Sequence, residues 1–228
     1  MNLPRLNFAR IGTLTYLYAD ACERGYDDYL ACNERIIEIG EVEYDPELWE
    51  LRRRYDIAGV QTIVFAGMCF ESAIYEYAAD HLGDAYVKDH IDKLDVLSKW
   101  LIVLRLVAGY ELRKDQAPYA ALKALVSARN GLVHSKSRPL DFENVHAQLI
   151  WMNAYDEKHD AAVTNAYRAL LFMSMDLESA IGVLHNPLPS YNPEVSPGLH
   201  IPLRLKPVVS ECRAIVCRAR ETEAASNQ

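Results

Sequence analysis

The sequence predicts an all-α fold, and three observations carry that reading. Half of the 228 residues are apolar, and they recur at spacings of three and four rather than two. Before Asn186, no stretch alternates convincingly with the period a half-buried strand needs. Gly and Pro are scarce up to Asn186 and then cluster between Pro187 and Pro207.

The elements follow in order. A first amphipathic helix is expected over Thr13 to Ile39, ended near Gly40. An acidic loop, Glu41 to Glu47, follows, and Pro46 opens a short helix to Tyr55. A long core helix is expected from Asp56 to His81, stopped by Gly83. After a short segment from Tyr86 to Ile91, another apolar helix covers Leu94 to Ala108 and closes at Gly109. Asp92 and Asp95 stand three apart at its start, where a helix N-terminus favours negative charge. A further helix spans Ala117 to Ser135, with Ser137-Arg138-Pro139 as its stop. Two more are expected over Phe142 to Tyr155 and Asp160 to His185. The proline cluster reads as an extended linker, and Val208 to Glu223 as a final helix with Arg213, Arg218 and Arg220. This divides the chain into a helical domain, 1–186, and a Pro-rich segment with a terminal helix, 187–228.

Composition narrows the function classes. The longest apolar run, Ile57 to Phe70, is interrupted by Gln61 and Thr62 and falls short of the ~20 residues a bilayer requires, so it is read as a core helix. Arg5 and Arg10 ahead of Ile11 to Ala19 have the outline of a signal peptide, but Thr, Tyr and Asp20 dilute it. The expectation is a cytoplasmic protein with no membrane association. Cys22, Cys32, Cys69, Cys212 and Cys217 form no Cys-x-x-Cys pair and have no nearby His set at zinc spacing, so they are expected to be reduced thiols. No glycine-rich phosphate loop, dinucleotide fingerprint or serine elbow is present, and no cofactor or metal is expected. A net charge of −8 argues against indiscriminate coating of nucleic acid. From Arg113 to Arg138, however, six cations (Arg113, Lys114, Lys123, Arg129, Lys136 and Arg138) face Asp115 alone, a local basic strip that would steer RNA to one place.

That strip contains Arg129-Asn130-Gly131-Leu132-Val133-His134. Arginine offers a planar fork of donors that matches phosphate oxygens. Histidine is the side chain best placed to move a proton near neutral pH. Tyr119, Leu122, Leu125 and Val126 give the segment one buried face leading into these residues. On an ideal helix Asn130 and His134 stack, while Arg129 points about 100° away and must reach round. Gly131, unfavourable inside a helix, is expected to mark a kink or the close approach of a second backbone.

The spacing resembles the Arg-x(4 to 6)-His signature of the HEPN superfamily, in which a polar residue, often Asn, follows the Arg. The order of apolar helices ahead of it, Ile57 to Leu82 and Leu94 to Val107, is also similar. The resemblance implies a HEPN-like helical bundle and a homodimer. It also implies metal-independent endoribonuclease activity, a hydrolase of the toxin, defence or RNA-processing kind, in which Arg129, Asn130 and His134 are catalytic. Lys123, Lys136 and Arg138 would then bind RNA. Glu71, set in the apolar helix, would be costly to bury alone, so it must face a polar cleft or pair with a cation, and it is a candidate support for Arg129. HEPN toxins paired with a nucleotidyltransferase often carry Tyr two residues after the His. Here that position is Lys136, so any regulatory protein partner is left unidentified. Two competing readings use the same residues: a catalytically silent RNA- or nucleotide-binding module, and an interaction protein in which Arg129 forms an internal ion pair with no cleft beside it. His81, His90, His146 and His159 are expected in surface or capping roles.

Overall fold

The computed structural model describes residues 10–40, 45–137, 144–196 and 200–226. Among them there is no strand, and the fold is all-α. The elements are α1 (Thr15–Ile39), α2 (Pro46–Leu82), the single turn α3 (Asp84–Tyr86), α4 (Val96–Val103), α5 (Ala117–Val133), α6 (Val145–Ile181) and α7 (Lys206–Ser226). π-helical turns extend α3 over Val87–Ile91 and α4 over Leu104–Ala108.

Helices α1 and α2 form an antiparallel hairpin. Gly25 of α1 permits the approach, because a Cβ there would lie 2.9 Å from Thr62 Oγ1 and 3.2 Å from the Ala58 carbonyl. Helix α6 packs beside the hairpin, antiparallel to α1. Tyr29 and Tyr55 both donate to Asp160 at 2.8 Å, and Tyr167 donates to Glu23 at 2.8 Å. Helix α5 lies antiparallel to α2 and α6, and the Asn165 side chain donates to the Ala121 carbonyl at 2.9 Å. Trp100 of α4 is fully buried against Phe70, and its indole N–H donates to the Phe70 carbonyl at 3.1 Å.

Two expected helix breaks do not exist. Pro46–Leu82 is one helix, and so is Val145–Ile181. The polar stretches Arg52-Arg53-Arg54 and Asp156-Glu157-Lys158 interrupt the apolar pattern but contain neither Gly nor Pro, so the backbone continues through them while the side chains face water. Capping sets the ends elsewhere. Asp45 accepts from Glu47 N at 2.8 Å ahead of Pro46, and Gly83 and Gly182 end α2 and α6 at positive φ.

Beyond Asn186 the described residues pack on the bundle. Leu188, Tyr191, Leu205, Val209, Cys212 and Val216 are buried in the same core as α1, α2 and α6. Helix α7 is clasped by charge: Arg220 reaches Asp176 of α6 at 2.6 Å and the Tyr110 hydroxyl at 3.0 Å. Burial pushes the thiols of Cys22 and Cys69 up, so both stay protonated, and all five cysteines are free. Helix α2 is long and apolar enough to cross a membrane by length and composition, and half of its most apolar stretch is buried inside the bundle.

Candidate functional site

Helix α5 is anchored by Ala121, Leu122 and Leu125, which are buried in the core. Its opposite face carries Lys123, Ser127, Asn130 and His134, spaced four, three and four apart and all exposed. Arg129, four residues after Leu125 and seven after Leu122, continues the buried face and points toward α2. Its aliphatic stem crosses Gly67, where a Cβ would stand 2.9 Å from Arg129 Cγ. Beyond Gly67 the guanidinium turns back toward α5. Nη1 donates to Asn130 Oδ1 at 3.3 Å, and Nη2 lies 3.5 Å from Glu71 Oε2. His134 is the C-cap. Its N–H donates to the Asn130 carbonyl at 3.0 Å, closing the last turn, and its ring is exposed.

The Arg129–Glu71 pair forms a ridge between two recesses. One, of about 250 Å³, has Phe70, Leu125 and Val126 as its apolar wall and Glu71, Asp92, Asp95, Lys99, Arg129 and Asn130 as its polar one. The other, of about 370 Å³, is lined by Leu14, Tyr18, Val64, Met68 and Val133 beside the same pair. His134 lines neither. A cleft and an ion pair therefore coexist at Arg129, and this combination meets only half of what the interaction-protein reading requires.

Lys99 is the residue sequence reasoning missed. Its side chain is 6% exposed, and Nζ sits 3.3 Å from Asp92 Oδ1, whose own side chain is half exposed. The available signal was a lone Lys in an apolar helix, which is costly to bury without a counter-charge; its partner Asp92 lies in the turn ahead of α4. Asp95 is occupied as the cap of α4. It accepts from Ser98 N at 3.0 Å and from Ser98 Oγ, and these bonds hold its carboxyl below its ordinary range. Two cations thus share the smaller recess with three carboxylates, which suits a ligand offering both acceptors and donors.

The expected basic strip is narrower than its composition suggests. Arg113 is drawn away to Asp115 at 2.7 Å and to Glu223 of α7 at 3.1 Å. Lys123 and Lys136 are exposed, and Lys123 shares the stripe of Asn130 and His134. Arg138 lies outside the described residues. Helix α5 runs unbroken through Gly131, and among the described residues a Cβ there would have nothing within 4 Å. Two histidines expected on the surface are packed instead. Both ring nitrogens of His81, and Nε2 of His159, are buried without a hydrogen-bond partner among the described residues; His81 packs on Tyr77, and His159 lies over Gly59 of α2. Among the described residues, no three His, Cys, Asp or Glu side chains group closely enough to hold a metal ion.

Comparison of the chain with protein-family models finds no match, and the comparisons with curated proteins and with solved structures likewise find none. The side chains of α5 and their neighbours therefore carry the functional reading.

Proposed function

We propose that the protein is a cytoplasmic, metal-independent endoribonuclease of HEPN-like type that works as a homodimer, with Arg129, Asn130 and His134 at a composite site. One observation carries this reading: the Arg129 guanidinium is held against Asn130, one helical turn from an exposed His134.

Cutting RNA without a metal requires a base for the 2′-hydroxyl, an acid for the departing 5′-oxygen and positive charge around the phosphate. One copy supplies one such histidine. In a two-fold dimer, His134 takes the 2′-hydroxyl proton as that oxygen attacks phosphorus. The phosphorus–O5′ bond breaks, and His134 of the partner subunit protonates the leaving oxygen. Arg129 stabilises the negative charge that builds on the phosphate, and Asn130 orients the guanidinium. Lys123 and Lys136 draw in the RNA backbone. The products carry a 2′,3′-cyclic phosphate and a 5′-hydroxyl.

A second reading, a silent RNA- or nucleotide-binding module, draws support from Glu71. Its carboxylate stands where an incoming phosphate would have to compete for Arg129. Cleavage of mixed RNA in excess EDTA separates the two. Cyclic-phosphate ends produced by the wild type and lost in His134→Ala and Arg129→Ala support the nuclease. Binding without cleavage, weakened by Arg129→Ala, supports the module. Efficient cutting of an all-deoxy substrate excludes attack by a 2′-hydroxyl and with it the nuclease mechanism.

A further inference from the structure

Helix α6 is longer than the core it serves. Its first core-buried residue is Val163, and the fourteen positions from Val145 to Lys158, all exposed save partly covered Gln148, form an arm about 21 Å long. Solvent-facing helical segments are ordinarily polar. This one carries Val145, Leu149, Ile150, Trp151, Met152 and Tyr155, each between 45% and 57% exposed. At 100° per residue, all of these but Ile150 fall in one stripe roughly 160° wide, the width that elsewhere faces a core. Trp151 and Tyr155 pack ring to ring at 5.4 Å along its edge.

We infer that this stripe is the face through which two copies of the chain pair, arm against arm, antiparallel about a two-fold axis. Area supports a second copy as the occupant. A half-exposed large apolar side chain leaves roughly 80–100 Å² in water, so the five of the stripe leave roughly 400–500 Å². That matches the largest apolar patch of a typical monomer, a size at which such patches are often functional. Doubled across a two-fold axis, this is roughly 800–1,000 Å² of apolar area, which at the ~65% apolar share of homodimer interfaces corresponds to roughly 1,200–1,500 Å² in all, within the range of specific interfaces. Charge supports self-pairing as well. Between Val145 and Tyr155 no Asp, Glu, Lys or Arg occurs, so an isologous contact of this stretch juxtaposes no like carboxylates or like ammonium or guanidinium groups.

The register of the helices links this face to the candidate site. Asn165 meets Ala121, and α5 runs antiparallel to α6. Twelve residues along α5, at 1.5 Å each, bring Val133 level with about residue 153 of the arm. Val133 is itself exposed. The arms therefore pair at the level of the C-terminal turn of α5 in each copy. In this respect the inference rests on the nuclease reading and supplies its dimer surface, while the arm pairing itself stands on area and charge.

Sedimentation velocity on the purified chain tests it. The wild type is expected to be a dimer at micromolar concentration. Leu149→Glu/Met152→Glu should weaken pairing at least about a hundredfold with unchanged helical circular dichroism, because charge would be buried without a partner. Leu149→Lys/Met152→Lys should do the same, and mixing the two variants should restore a dimer. A monomeric wild type, or a dimer that survives in the Glu variant, overturns the inference. The RNA assay is read separately. Cleavage by a dimer indifferent to the arm removes this inference and leaves the nuclease, whereas an arm-dependent dimer that never cleaves RNA does the reverse.

Discussion

The stem of Arg129 lies directly over Gly67, and no other residue type fits beneath it. A methyl group at residue 67 would stand 2.9 Å from Cγ and 3.4 Å from Cβ of Arg129. The glycine on α2 thereby sets how deeply α5 seats and where the guanidinium ends. Gly67→Ala is expected to lift Arg129 out of reach of Asn130 and Glu71. Overpacking of this kind costs about 1–3 kcal/mol, so the fold should survive. On the proposed nuclease reading, in which Arg129 is catalytic, a displacement of an ångström costs about a hundredfold in rate. Cleavage kinetics beside a thermal melt check this, and full activity with an unchanged melt would show that the contact positions nothing.

The ion pair on the other side of Arg129 makes a prediction of opposite sign. Glu71 is 45% exposed and Arg129 30%, so screening leaves their attraction within about 1 kcal/mol. Glu71→Gln should therefore leave stability almost unchanged while freeing the guanidinium for phosphate. RNA affinity, followed by fluorescence anisotropy through a salt series, should rise, and its salt dependence should steepen by about one phosphate contact. Affinity that falls in this variant would mean that the carboxylate orients Arg129 rather than competing for it.

Much of this geometry was legible in the sequence, and what was not has physical causes. The all-α class follows from periodicity, and the 100° offset between Arg129 and Asn130 follows from helix geometry. The reach of Nη1 back to Asn130 realises that offset. The breaks expected near Tyr55 and Asp156 rest on polar interruptions, which mark where a helix faces water and not where it ends. Lys99 and Gly67 were illegible because their meaning lies in partners that come from other helices. The same holds for the tail. The prolines from Pro187 to Pro207 predict an extended linker, yet α7 begins at Lys206 with Pro207 in its first turn, where its missing N–H is harmless. Nothing local shows that Leu188 and Tyr191 enter the core of α6 and α1.

His81 gives the fold a measurable pH dependence. Its ring packs edge-on against Tyr77 with centroids 4.6 Å apart, and both nitrogens are buried without a partner among the described residues. Burial lowers its pKa and His185 adds to the effect, while Asp80 opposes it. A folded pKa below the unfolded value of about 6.5 means that the unfolded chain binds the proton first. The stabilisation is complete above about pH 6.5 and is lost as pH falls toward the folded value, by at most about 1.4 kcal/mol per pH unit in that window. His81→Phe should flatten the profile of urea unfolding between pH 7.5 and 5. An identical slope in the variant would assign the acid sensitivity to other groups.

The clasp on α7 is the costliest electrostatic contact to break. Asp176 is 2% exposed, and burial pushes its carboxyl up even though Tyr110 and Arg220 both donate to it. Arg220 also donates to the Asp176 carbonyl at 3.1 Å and reaches Glu223 at 3.1 Å, so one guanidinium ties α7 to α6 and to the loop ahead of α5. Arg220→Ala strands a buried carboxylate. Because Arg220 is 24% exposed, the expected cost is roughly 3 kcal/mol, the low end for a buried pair. Amide exchange should accelerate in α7 before it does in α2. The double variant Asp176→Leu/Arg220→Met removes both charges and should recover most of the loss, since replacing a buried pair with apolar side chains is often neutral. If the double variant is as unstable as the single, the arginine acts through packing and the carboxylate is incidental. Recovery would identify the stranded charge as the source of the loss.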